Sequence, residues 1–304
     1  MPGLEIRLFG EFAIVETESA TELSLPHGAQ ALLGYLLLNR RTEHPRDDLS
    51  QIFWPEEDST RARSRLNTAI WRLRKALAAG NVNPDDYIIS RPSGEVAFNR
   101  ASRYWLDIEV FEEASTVSLG TARGTPSSFD PEALEAAVRL YQGDVLRGFY
   151  SDWALRERER LSDLHIRSLM RLVEYHRLRG DLAKSVEFAR MAVAREPLRE
   201  DIHRDLIALY AAQGQRAMAL QQYKTCKAIL ETELGVGPMP ETDATLEQAL
   251  TGRASVGAAQ VSDGRREASV SARELRMLRD KLAQATRLLE EVKASLEDLD
   301  QGGE

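Results

Sequence analysis

Apolar and polar residues alternate from the start of the chain. Leu4, Ile6 and Leu8 fall on one side of an extended segment, and Glu5 and Arg7 on the other. This two-residue period predicts a half-buried strand. Gly10-Glu11 turns the chain, Phe12 to Val15 returns it, and Leu23-Ser24-Leu25 predicts a further short strand before Pro26. Gln30 to Asn39 is almost wholly apolar, which predicts a buried helix. Pro45 stands where a first helical turn favours proline, and Arg46 to Phe53 predicts a short helix that Trp54-Pro55 ends. Asp58 or Ser59 caps a long helix reaching to about Ala79, which Gly80-Asn81 stops. Tyr87 to Ser90 and Glu95 to Phe98, joined by Arg91-Pro92-Ser93-Gly94, predict a hairpin with a basic tip. Strands, three helices and a hairpin, in that order, predict a winged helix-turn-helix.

From Asp107 the pattern turns helical, with a loop of Ser, Thr, Gly and Pro predicted from Thr116 to Pro131 and a helix from Pro131 to Gln142 that can cap the helices after it. Beyond it lies a repeat. Gly180-Asp181-Leu182-Ala183 and Gly214-Gln215-Arg216-Ala217 are offset by 34 positions, as are Leu172 and Leu206, and Val186 and Leu220. A period of that length predicts tetratricopeptide-like helix pairs from about Leu161 to Leu234, stopped by Gly235. Ala183 and Ala217 are the small residues expected to let paired helices approach. A polar linker comes next, and then Leu275, Leu278, Leu282, Ala285, Leu289, Val292, Leu296 and Leu299 step by three and four, a heptad stripe. The predicted fold is therefore mainly α with a small α+β N-terminal domain. Residues 1–106 form the winged helix, 107–250 the helical repeat domain, 251–270 a linker and 271–300 a coiled-coil helix.

A length of 304 residues, 43 % hydrophobic and 29 % charged, fits a globular chain of two domains. The stretch from Ala29 to Leu38 is too short and mixed to cross a bilayer, no secretory signal is visible, and the single cysteine, Cys226, fits a reducing cytoplasm. The net charge of −8 argues against nucleic acid only if it is read as a global number; local fields decide phosphate contact. Arg61, Arg63, Arg65, Arg72, Arg74 and Lys75 make one cationic strip, with no acid between Ser59 and Pro84.

That strip lies on the third helix. Ala62, Leu66, Ala69, Ile70, Leu73 and Leu77 share one side at helical spacing, and Arg61, Ser64, Arg65, Thr68, Arg72 and Lys75 share the other. Arginine binds guanine O6 and N7 in bidentate fashion, and Ser and Thr hydroxyls reach several base edges. Arg61, Ser64, Arg65, Thr68 and Arg72 are thus the expected groove-facing residues. Lys75 and Arg74 are expected on phosphates, which position without specifying; Arg63, Asn67 and Arg74 sit on a flank of the wheel. Trp71 is open between packing on the domain and lining the DNA boundary. Arg91 is open between a DNA contact and a plain turn residue. Arg40, Arg41 and Arg46 are open between solvated charge and a polymerase-facing loop. His27, His44, His165, His176 and His203 show no metal spacing, Cys226 predicts a buried thiol, and Glu157 and Glu159 alternate with arginines as a helix-surface pattern. No catalytic constellation and no cofactor motif is found, so an enzyme is not expected.

Phe53-Trp54-Pro55, then Arg61 to Asn67 and Trp71 to Leu77, resembles the OmpR-like winged helix of the Streptomyces antibiotic regulatory proteins. Leu140-Tyr141-Gln142-Gly143-Asp144-Val145-Leu146 through Trp153, Glu157 to Leu161, Glu196 to Glu200, Ala211 to Gly214 and Glu233 to Val236 resemble that family's bacterial transcriptional activator domain. The resemblance covers roughly residues 4 to 250. It implies a transcriptional activator that binds direct repeats in promoter DNA as a tandem or dimer and recruits RNA polymerase and its σ factor. No Gly-x-x-x-x-Gly-Lys-Ser/Thr run of the longer members occurs. The heptad stripe favours a homodimer, which would place two readers on adjacent half-sites; docking on the chain's own repeats is the other possibility. A reading of a different class is a helical-repeat adaptor whose basic helix binds an acidic protein partner.

Overall fold

The computed structural model describes residues 3–120 and 129–251. Strand β1 (Leu4–Arg7) pairs antiparallel with β2 (Ala13–Glu16), which pairs with β3 (Thr21–Glu22). Leu4 and Ile6 are buried, as the alternation requires. The alternation runs on to Phe9, but the pairing with β2 ends at Arg7. The Leu8 and Phe9 amides instead donate to the Asp107 carboxylate at 2.8 and 2.9 Å, and Phe9 bridges Val145. The strand predicted at Leu23–Leu25 lies just earlier, at β3, and Leu23 and Leu25 are core residues after it.

Helix α1 (His27–Leu38) starts about one turn earlier than its apolar run suggests, and seven of its residues are buried. Next come β4 (His44–Pro45), α2 (Arg46–Phe53) and α3 (Ser59–Ala79). The Asp58 carboxylate accepts from the Thr60 and Arg61 amides at 3.1 and 3.0 Å, satisfying two of the helix's open donors. A short helix, α4 (Pro84–Tyr87), takes the first residue of the predicted hairpin. Asn83 caps it ahead of a proline at the first helical position, a signal present in the sequence. The hairpin itself is β5 (Ile88–Ser90) and β6 (Glu95–Phe98), with β4 on the outer edge of β6. Strand β7 (Tyr104–Leu106) then returns parallel to β1, giving the order β3-β2-β1-β7. Non-local pairing of this kind leaves no mark in a short window of sequence.

The helical part comprises α5 (Asp107–Gly120), α6 (Pro131–Leu140), α7 (Asp152–Leu178), α8 (Leu182–Arg195), α9 (Glu200–Ala212), α10 (Arg216–Leu234) and α11 (Pro240–Thr251). Helix α5 continues through Thr116 into the predicted loop, and the Ser118 hydroxyl donates back to the Ala114 carbonyl at 2.7 Å, which accommodates a poor helix former. Helices α8 and α10 begin 34 positions apart, each after a glycine in the left-handed region, Gly180 at φ 76° and Gly214 at φ 72°. Only glycine takes that conformation without steric cost. The small residues at the helix contact are not those expected: Ala183 and Ala217 are exposed. Ser185 and Ala219, two positions on in both repeats, have no exposed surface, and the Ser185 hydroxyl donates to the Val173 carbonyl on the facing helix at 2.8 Å. Cys226 is buried, as expected, and burial pushes its thiol up to about 11. The heptad stripe lies outside the described residues.

The apolar core is not divided where the winged helix meets the helices. One cluster holds β1, α1 and α3 together with Phe111, Tyr141, Val145, Leu146, Trp153 and Leu161; a second fills the repeats. The segment between α6 and α7 is the strap that joins them. Gly10 N donates to the Asp144 carbonyl at 3.2 Å, Leu146 N donates to the Leu8 carbonyl at 3.3 Å, and Arg158 holds the carbonyls of Val145, Leu146 and Phe149. Leu146 is wedged against Gly34, where a Cβ would lie 2.6 Å from its Cδ2.

Arg40 is neither solvated nor a polymerase-facing group. Its side chain is 2 % exposed, with Nε 3.0 Å from Glu109 and Nη2 2.7 Å from Glu112, both on α5. Arg160 on α7 reaches the other Glu112 oxygen at 2.6 Å. Arg41 is exposed. Among the described residues no helix is long and apolar enough to cross a membrane.

Candidate nucleic-acid interface

Helix α3 is fixed by its apolar side. Ala62, Leu66, Ala69, Ile70, Leu73 and Leu77 are buried and packed chiefly against α1 and α2. Each large side chain buried there contributes about 1.5–3 kcal/mol, enough to set the helix's rotation about its axis. The opposite side is therefore outward by necessity. At 3.6 residues per turn its ridge is Ser64, Thr68, Trp71 and Lys75. Arg61, Arg65 and Arg72 form one shoulder, and Thr60, Arg63, Asn67 and Arg74 form the other. All are exposed except Arg74. A shallow surface groove runs along Thr60, Arg63, Ser64, Asn67, Thr68 and Trp71.

The cations are less free than their sequence implies. Arg63 makes a bidentate pair with Asp47 on α2, at 2.6 and 2.7 Å, and holds that carboxyl below its ordinary range. Arg65 Nη1 is 2.9 Å from Glu57, and Arg61 Nε is 3.4 Å from Asp58. Arg91 at the hairpin tip is paired in bidentate fashion with Glu43 at 2.6 and 2.5 Å, so it is anchored, not a loose turn residue. Arg74 lies 2.5 Å from Asp85 and donates to the Ile88 carbonyl at 2.9 Å, tying α3 to the root of the wing. Lys75 Nζ sits 5.0 Å over the Trp71 ring. Among the described residues the Arg72 side chain has no partner. These exposed pairs are worth little in water, and a phosphate can replace each carboxylate.

Sequence reasoning places Arg61, Ser64, Arg65, Thr68, Arg72 and Lys75 on one side, and the structure puts all six on the outward half of α3. It misses the counter-ions. Asp47 lies on α2, and Glu43 and Glu57 lie in the loops before β4 and α3, and no helical spacing along α3 signals any of the three pairings. Asn67, on a flank of the wheel, has a partner too: Arg46 Nη1 donates to its Oδ1 at 2.7 Å, a pairing that no local spacing signals.

Residues 106–250 match the family model of the bacterial transcriptional activator domain. The chain is 26 % identical over 211 residues to the regulatory protein AfsR of Streptomyces coelicolor, a match covering 69 % of this chain and 20 % of that one. It is 27 % identical over 215 residues to the transcriptional regulatory protein MoaR1 of Mycobacterium tuberculosis, covering 69 % and 68 %. The fold is similar to that of Mycobacterium tuberculosis EmbR, solved in complex with a low-affinity phosphopeptide. The TM-score is 0.63 at 22 % identity, over 83 % of this chain and 66 % of that one. The chain thus spans a fifth of AfsR.

The winged helix is thus followed in the chain by a segment that matches this activator domain. The matches support a likeness to the Streptomyces antibiotic regulatory proteins, carried chiefly by the activator domain.

Proposed function

We propose that the protein is a cytoplasmic, sequence-specific DNA-binding activator. Helix α3 enters the major groove with Arg61, Ser64, Arg65, Thr68 and Arg72 toward the bases. Lys75 and the wing's Arg91 meet phosphates, and Arg74 acts on the backbone contact by holding the wing to α3. The bound chains occupy direct repeats in promoter DNA as a homodimer and recruit RNA polymerase and its σ factor. The observation that carries this reading is the outward face of α3: polar and cationic along its length, rotated into place by the buried leucines, and flanked by an anchored basic wing tip.

The test is binding to a duplex that the full chain selects from a randomised oligonucleotide pool. Expected are a steep fall in affinity with salt and a preference for the selected site at fixed salt. Changing Arg65 or Arg72 to alanine should cost about 1–3 kcal/mol for each bidentate hydrogen-bonded pair to a base that it removes. Binding without sequence preference would favour instead the adaptor that takes an acidic protein partner.

A further inference from the structure

We infer that Trp71 is a base-reading residue, its indole packing on the 5-methyl group of a thymine in the major groove. The inference rests on the proposed seating of α3 in DNA and deepens it by naming the base.

Four tryptophans occur in the chain, and three are built into the body. Trp153 packs edge-on against Tyr35 and Phe53, Trp54 packs on Phe53, and Trp105 lies half-buried in β7. Trp71 is 58 % exposed, on the ridge directly opposite the buried leucines, and among the described residues no aromatic ring packs on it. Its one side-chain neighbour of note is the Lys75 ammonium over the ring face. A large apolar plane left in water in the middle of a polar ridge loses nothing in the free protein and gains about 25 cal/mol for each Å² covered on binding. In the major groove the apolar group available to it is the thymine methyl.

Asn67 supports the same base from one helical turn away. The Arg46 guanidinium only donates, so the oxygen of Asn67 must be the end that faces it, and the amide N–H2 is the open group. An open donor matches the thymine O4 acceptor beside the methyl. Thr68, also in the groove, donates its hydroxyl to the Ser64 carbonyl at 2.9 Å, which leaves its methyl as a second apolar surface. Indole, methyl and amide donor together describe the major-groove edge of thymine and do not match guanine, which offers two acceptors and no methyl.

The experiment uses the full chain and the duplex that it selects from a randomised pool, with each thymine replaced in turn by deoxyuridine. That change removes only the methyl and keeps the pairing. For the wild type, one replacement in each half-site should lower affinity about fourfold, the factor for one methyl leaving an apolar environment. Trp71→Ala should bind the thymine duplex more weakly and be indifferent to that same replacement. The position is exposed, so the variant's circular dichroism and unfolding midpoint should match the wild type. Trp71 is not a base reader if no deoxyuridine replacement matters, or if Trp71→Ala keeps the sensitivity. The same holds if Trp71→Ala weakens selected and random duplexes equally, as a contact to sugar and phosphate would. If no duplex is selected at all, the DNA-binding reading fails first and this inference falls with it.

Discussion

The imidazole of His165 lies flat on the phenol ring of Tyr141, with centroids 4.3 Å apart and planes within 6°. Nε2 is 3.2 Å from the Val138 carbonyl, and among the described residues the buried Nδ1 has no hydrogen-bond partner. Burial pushes the imidazole down to about 4, and the Arg195 guanidinium, over the Tyr141 ring, adds repulsion.

The unfolded chain takes up this proton near pH 6.5, whereas the folded protein resists it until about pH 4. Stability from this group is therefore whole above pH 6.5 and declines as pH falls through that window, by at most about 3 kcal/mol. His203, hydrogen-bonded to the Pro197 carbonyl and also lowered by burial, acts with the same sign. Urea midpoints measured from pH 7 to pH 4 should fall less steeply for His165→Phe than for the wild type. Parallel slopes would remove His165 as a source of the acid sensitivity.

Arg40 should matter to folding, not to DNA. Arg40→Met leaves Glu109 with Arg100 as its cation, 4.0 Å away, and Glu112 with Arg160. A loss of about 1–3 kcal/mol in urea unfolding is expected, below the full cost of an uncompensated buried charge because each carboxylate keeps one arginine. A midpoint within error of the wild type would mean that water reaches the carboxylates as soon as the arginine is gone.

The repeats offer a comparison between two neighbouring positions. Ser185→Leu forces extra volume between α7 and α8 and is expected to cost about 1–3 kcal/mol. Ala183→Leu, on the exposed side of α8, should change stability by less than about 0.5 kcal/mol. The reverse ranking in thermal unfolding would restore the alanines as the packing positions.

With α3 seated in DNA as proposed, Asp47 is expected to compete with phosphate for Arg63. Asp47→Asn releases the guanidinium from its bidentate pair. Affinity for the selected duplex should rise, and the slope of log affinity against log salt should steepen by about 1, the increment for one added phosphate contact. No change in the slope would place Arg63 away from the phosphates.

Much of the fold is legible in spacing alone. Asp58, the Pro45–Arg46 junction, Gly180, Gly214 and Gly235 act through the residues beside them, and each ends or begins a helix where local chemistry says it should. The outward half of α3 is equally legible, because a helix with six apolar residues on one stripe has one way to lie on a core. The exact packing positions in the repeats are not. Ala183 and Ser185 are both small and differ by less than a turn, so only the facing helix decides which is covered.

The sequence by itself determined the longer helices, the first strands and the hairpin, and which side of α3 turns outward. These arise from periods of two and 3.6 residues acting within one element, whereas β4, β7 and the short α4 do not. Tertiary structure alone decided that Arg40 is buried between Glu109 and Glu112, that Asp47, Glu57 and Glu43 hold the arginines, and that the 141–151 strap ties β1 to the helices. Ion pairs and bridges of this kind join residues that no single element's period relates. They exist only where packing brings the partners together and excludes the water that would otherwise screen them.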